Sequence, residues 1–310
     1  MCKIAVIGIG GVGGYIAGAL GNTYDHVTFV ARGKRKEAFE REGFRMHSDV
    51  LGELTVHPKM VVENIREAGP QDYIFICLKN YSLDDICPGL REVVTEDTVI
   101  VPIMNGVDAG ERIRRQVGKG IVLDAVVYII GYTNPDFSVN QESDIVHVHI
   151  GVKHPNAQEE SAIQRTEQLM IQAGIDCRVE ADIQQAVWKK YGLNCAYNVL
   201  TAYYSATTDE IRKNEKRLEE YRTILKEVMA VAEAKGIQLP ENHYKEQLYR
   251  FEVEQKGDST SSMRRDMDAK RQTELESFGG YLVREARRLQ VPVPLSERLY
   301  KEMKERTMCY

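Results

Sequence analysis

Lys3-Ile4-Ala5-Val6-Ile7 runs directly into Gly8-Ile9-Gly10-Gly11-Val12-Gly13. The apolar, β-branched run predicts a buried strand. The glycines that follow make a tight turn, let backbone approach a pyrophosphate, and allow close packing of the next helix on the sheet. That helix's N-terminus offers unpaired N–H groups and partial positive charge to phosphate. G-x-G-x-x-G alone is a weak signal. Its place between a strand and a helix is what points to a dinucleotide-binding βαβ start.

The second strand bears on the cofactor. The stretch 26–31 predicts that strand, and Arg32 follows it. An Asp or Glu about 20 residues past the glycines usually holds the ribose 2′-hydroxyl of NAD. Arg32 stands there instead, followed by Gly33-Lys34-Arg35-Lys36. A guanidinium suits a 2′-phosphate that a carboxylate would repel. NADPH/NADP+ is therefore expected over NADH. The plainer alternative is a solvated basic turn before a helix.

The bulk numbers narrow the classes. With 310 residues the chain has length for two domains. It is 43% hydrophobic and 28% charged, an ordinary globular profile. A net charge of −5 makes no electrostatic case for nucleic acid or an anionic membrane. Six cysteines, at 2, 77, 87, 177, 195 and 309, are scattered without metal-ligand spacing. No metal is expected, and the thiols read as those of a reduced, cytoplasmic compartment. No apolar stretch reaches the length of a membrane span. The glycines within residues 3–20 argue for a βαβ start over a signal peptide.

Strand-like and helix-like segments alternate over the first 120 residues, which predicts a parallel sheet covered by helices. The stretch 72–78 reads as a buried strand leading to Lys79, and 98–104 as another leading to Asn105-Gly106. Stretches 122–130, 138–141 and 145–150 predict an antiparallel extension at that sheet's edge, with a turn at Asn134-Pro135-Asp136. A helix over 158–173 and a short strand at 177–179 close this half. From Ile183 onward the pattern is helical, with apolar spacing over 218–235 and 274–289, broken at Pro292 and Pro294. The expected fold is a Rossmann-type α/β domain over 1–180 and an all-helical domain over 181–310. The apolar stripes of the helical half suit a homodimer as well as a core.

The chemistry-bearing segment runs from Trp188 to Asn198. Lys190, Asn194 and Asn198 recur every four residues and share one helix face. Trp188, Tyr191, Cys195 and Val199 share another and are expected to anchor the helix. Asparagine competes with the helix backbone for hydrogen bonds. Two aligned asparagines therefore suit a cleft that binds a polar ligand. A lysine beside a reacting carbonyl acts as proton donor when its surroundings lower its pKa. A solvated polar face is the alternative, and the low charge of the stretch counts against it. Farther on, Ser259-Thr260-Ser261-Ser262-Met263 and Thr273-Glu274 offer hydroxyls and a carboxylate, though such residues are usually helix caps or first-turn acids.

Together these motifs resemble the ketopantoate reductase (2-dehydropantoate 2-reductase) family along nearly the whole chain. The W-x-K-x-x-x-N-x-x-x-N pattern from Trp188, S-S-M at 261–263 and T-E at 273–274 are its most specific parts. The resemblance implies reduction of ketopantoate to pantoate with NADPH. It makes Lys190 the general acid. Glu274 would orient Lys190 and contact the substrate hydroxyl or cofactor ribose. Asn105 would bridge substrate and nicotinamide ribose. Asn194, Asn198 and Ser262 would bind substrate. Gly8, Ile9, Gly10, Gly11, Val12, Gly13, Arg32 and Lys79 would bind the cofactor.

Three positions depart from the family pattern: Val199 for Pro, Thr208 for a substrate-binding Asn, and Met104 for Gln. They leave the expected catalytic set intact and bear on which 2-oxo acid is used. A β-hydroxyacid or opine-type dehydrogenase shares the two-domain plan and is the alternative enzyme. A non-catalytic NADP(H)-binding protein is the alternative outside enzymology, and retention of both Lys190 and Glu274 speaks against it.

Overall fold

The computed structural model describes residues 2–307. They divide into two compact units, Met1–Ile183 and Gln184–Tyr310.

The first unit opens with β1 (Ile4–Ile7), α1 (Gly11–Thr23), β2 (Val27–Val30) and α2 (Lys34–Glu42). A hairpin of β3 (Phe44–Ser48) and β4 (Gly52–Val56) follows, then β5 (Met60–Val62) and β6 (Tyr73–Ile76). Next come α3 (Leu83–Val93), β7 (Val99–Pro102), α4 (Ala109–Val117), β8 (Ile121–Val122), β9 (Asp124–Thr133) and β10 (Val139–Gly151). The unit closes with α5 (Ala157–Gln172) and β11 (Cys177–Val179).

Six strands form a parallel sheet in the order β5-β2-β1-β6-β7-β8. Every residue of β1, β2, β6 and β7 is buried, the mark of strands covered on both faces. Their shared direction gathers the loops after β1, β2, β6 and β7 at one edge, where such sheets bind ligands.

The expected edge extension is corrected. β9, β10 and β11 do not continue the parallel sheet; with β3 and β4 they build a second, five-stranded sheet. β10 pairs antiparallel with β9 and parallel with β3 and β11. The two stretches read separately at 138–141 and 145–150 are this one strand, with a register shift between Glu142 and His147. A bulge interrupts the period-two pattern without ending the strand. Phe29, Phe39 and Phe44 link the sheets edge to face, with centroids 5.3–6.3 Å apart.

The second unit is helical. It contains α6 (Ile183–Tyr203), α7 (Thr208–Arg212), α8 (Glu215–Ala234), α9 (His243–Tyr249), α10 (Ser262–Asp268), α11 (Tyr281–Leu289) and α12 (Pro294–Thr307). Trp188, Tyr191, Cys195 and Val199 are all buried on α6. The rings of Trp188, Tyr191 and Tyr281 meet edge to face at 5.3–6.4 Å. The helix expected over 274–289 is π-helical over Glu276–Gly280 before α11 begins. Pro294 starts α12, a position where its missing N–H costs nothing. Buried Glu227 caps that start, accepting from the N–H groups of Leu295 and Ser296, each at 2.9 Å.

Cys2, Cys77, Cys87, Cys177 and Cys195 are free thiols, and Cys309 lies outside the described residues. Among the described residues, no helix is long and apolar enough to cross a membrane.

Candidate functional site

The glycines of the first turn have different reasons for being glycine. Gly8 has φ +89°, which L side chains rarely adopt. A Cβ on Gly13 would lie 1.8 Å from the Gly8 carbonyl oxygen, so α1 packs against the turn only because that atom is missing. A Cβ on Gly11 would strike the Gly131 carbonyl of β9 at 2.3 Å. Gly10 differs. Its φ of −97° suits any residue, and a Cβ there would meet nothing within 4 Å. The fold does not need glycine at position 10. The open space beside it, at the start of α1, is what a pyrophosphate approaching backbone N–H groups requires.

A cavity of about 460 Å³ lies beside this turn, with Gly8, Ile9, Arg32, Arg35, Glu63 and Phe137 in its wall. Arg32 is exposed at its rim. Glu63, at the end of β5, accepts from the Gly33 N–H at 2.9 Å and so holds the turn into α2. Apolar walls, a glycine turn and basic side chains fit the adenosine end of a dinucleotide.

Lys79 and Asn105 occupy loops at the same edge, after β6 and β7. Both are half-buried and neither lines the cavity. Sequence reading missed the side chain that couples their loops. Asn80 is buried, donates to the Asn105 carbonyl at 2.9 Å, and accepts from Arg112. Gly106 has φ +99°, and a Cβ there would lie 2.8 Å from the Asn80 amide.

In the helical unit, α6 places Lys190, Asn194 and Asn198 on successive turns. Asn198 Nδ2 donates to Asn194 Oδ1 at 3.4 Å, and Ser262 Oγ donates to Asn198 Oδ1 at 3.4 Å. Ser261, not Ser262, caps α10, accepting from the Arg264 N–H at 3.1 Å. Ser261 also accepts from Thr201 at 2.7 Å, which ties the serine segment to α6. Ser262 is left on the stripe.

Lys190 is half-buried, and burial lowers its pKa from the usual lysine range to about 8. The carboxylate of Glu274, itself buried, works in the opposite direction. Arg250, in the π-helical turn Arg250–Glu254, adds to the lowering. Arg250 was absent from the sequence expectations, because a lone arginine in a polar stretch carries no spacing signal. The arrangement sets an amine that stays protonated at neutral pH and loses its proton near pH 8 on one stripe with two amides and a hydroxyl.

Thr208 is fully buried and already engaged. Its Oγ1 lies 3.2 Å from Tyr197 Oη, 2.9 Å from Ser259 Oγ and 3.2 Å from the Ser259 carbonyl.

Comparison with known proteins agrees along the chain. Residues 4–154 match the family described as ketopantoate reductase PanE/ApbA, and 182–307 match its C-terminal counterpart. A 2-dehydropantoate 2-reductase from Mesorhizobium japonicum is 26% identical, over 94% of each chain. An uncharacterized oxidoreductase, YkpB, from Bacillus subtilis is 26% identical, over 97% of each. The crystal structure of 2-dehydropantoate 2-reductase from Methylococcus capsulatus superposes with a TM-score of 0.86 at 27% identity, covering 98% of this chain and 97% of that one. The chain therefore belongs to the ketopantoate reductase PanE/ApbA family and is a pyridine-nucleotide-dependent oxidoreductase acting on a CH–OH group.

Proposed function

We propose that this chain reduces 2-dehydropantoate to (R)-pantoate with NADPH, a step toward pantothenate and coenzyme A. The observation that carries the reading is Lys190, lowered to about 8 and aligned with Asn194, Asn198 and Ser262. NADPH, when bound, supplies the hydride that C2 of the oxo acid receives. Lys190 Nζ gives its proton to the carbonyl oxygen as negative charge develops there, and regains one from solvent. Glu274 keeps the amine protonated at neutral pH. Asn194, Asn198 and Ser262 bind the substrate's hydroxyl and carboxylate, fixing the face of C2 that is attacked. Gly8, Ile9, Gly10, Gly11, Val12 and Gly13 receive the pyrophosphate, and Arg32 the 2′-phosphate. Lys79 and Asn105 hold the ribose region, with Glu274 completing the cofactor contacts.

A second reading keeps this chemistry and changes the acid. The engaged Thr208 hydroxyl favours it, because that group's hydrogen bonds are already committed inside the protein. Oxidation of NADPH at 340 nm, with ketopantoate beside a panel of other 2-oxo acids and an NADH control, separates the two. Selective turnover of ketopantoate with NADPH supports the first reading. Turnover of another acid alone supports the second.

A further inference from the structure

Arg35 lies in the first turn of α2, in the wall of the cavity beside the glycine turn. Its Nε is buried and has no hydrogen-bond partner. No carboxylate pairs with its guanidinium among the described residues. Burial pulls its pKa down, yet an arginine side chain stays charged in a protein. A half-buried cation left unmatched is costly, and proteins keep one where a ligand supplies the counter-charge. The neighbouring carboxylate of Glu63 does not serve, because it is turned to the Gly33 N–H. Arg66, in the same wall, is paired with Glu92 at 2.8 Å.

The second observation is Phe137. Its ring lies under the Arg35 guanidinium, 5.5 Å from Cζ to centroid. It occupies the turn between β9 and β10 with φ +67°, a conformation that favours glycine. The bonds from Asn134 N–H to the Ser138 carbonyl (2.8 Å) and from Phe137 N–H to the Asn134 carbonyl (3.0 Å) define that turn. A bulky residue held in a strained conformation at a cavity wall is a mark of function. Here the second sheet sends an aromatic ring into a cavity built on the first.

We propose that Arg35, seated on Phe137, is a second guanidinium for the cofactor's 2′-phosphate, acting with Arg32 to set preference for NADPH over NADH. This rests on the reading that the cavity takes the adenosine end of a dinucleotide. A phosphate dianion matches the charge and the donor geometry of the guanidinium fork. The neutral 2′-hydroxyl of NADH matches neither, so Arg35 discriminates as well as binds.

Calorimetric titration tests the proposal without turnover, using 2′,5′-ADP and 5′-ADP on the full chain. Wild type binds 2′,5′-ADP more tightly. Arg35→Gln weakens 2′,5′-ADP by roughly 10- to 100-fold and leaves 5′-ADP within about twofold. Arg35→Lys recovers part of the loss. Phe137→Leu removes the aromatic face under the guanidinium but keeps an apolar side chain against the core, and weakens 2′,5′-ADP more than 5′-ADP. If Arg35→Gln keeps its 2′,5′-ADP affinity while wild type still discriminates, Arg35 is not a phosphate ligand and the dinucleotide reading stands. If wild type binds both ligands equally, or neither, the cofactor reading fails and the proposal with it.

Discussion

Ser262 Oγ donates to Asn198 Oδ1 at 3.4 Å across 64 residues of sequence. That contact joins the serine segment before α10 to the stripe on α6. The two stretches that carry most of the family resemblance are thus one polar surface in space. Neither is explained by helix stability: asparagine weakens a helix interior, and Ser261 already caps α10.

With Lys190 as the proposed general acid, its lowered pKa is predicted to set the pH profile of reduction. A general acid must hold its proton, so kcat is flat below about pH 8 and falls about tenfold per unit above it. Burial is the main cause. Glu274→Gln removes the group that favours the ammonium, so the break moves to lower pH. Steady-state rates from pH 6 to 10 on both proteins check this. A break that stays in place would mean Glu274 does not act on Lys190.

Gly10 and Gly13 separate binding from folding. Gly10→Ala adds a methyl that meets no atom within 4 Å, so the melting temperature stays within about 2 °C while dinucleotide affinity falls at least about tenfold. Gly13→Ala places a Cβ 1.8 Å from the Gly8 carbonyl oxygen, beyond what a core absorbs at the usual overpacking cost of about 1–3 kcal/mol. It lowers stability and binding together. Thermal melts beside NADPH titrations distinguish the two outcomes.

These glycines also show what was legible in the sequence. A buried strand, a glycine turn and a basic residue after the second strand are local signals, and local spacing carries them. The α6 stripe was legible for the same reason, since every fourth residue of a helix shares a face. The second sheet was not. β3 alternates inward Phe44, Met46 and Ser48 with outward Arg45 and His47, a readable pattern, but its partner β10 lies about 90 residues away. Sequence spacing does not state such pairings. Asn80 and Arg250 were missed because each acts through a neighbour brought close only by folding, and Arg35 was legible only as one member of the basic turn after Arg32.

Tyr191 anchors α6 by a buried hydrogen bond, its Oη donating to the Phe278 carbonyl at 2.6 Å. Tyr191→Phe removes the donor, and the same carbonyl keeps the Tyr281 N–H and the weak Cys195 Sγ contact at 3.8 Å. The expected cost is about 1–2 kcal/mol. Urea unfolding reads it directly. An unchanged midpoint would show that this bond adds nothing net.

Thr208 tests the substrate question. Thr208→Val deletes the hydroxyl shared with Tyr197 and Ser259 and costs about 1–3 kcal/mol. If this hydroxyl group is part of the substrate wall, the order of KM values across a panel of 2-oxo acids also changes. Lower stability with an unchanged order would make its role purely structural.

The central claim is that Lys190 supplies the proton to the reduced carbonyl. The most direct test is Lys190→Gln, with kcat for the preferred 2-oxo acid and NADPH affinity measured on one preparation. The account predicts a kcat lowered by about 10²- to 10⁴-fold, the usual worth of a positioned general acid, with NADPH affinity within about twofold. A variant that turns over at the wild-type rate would contradict it.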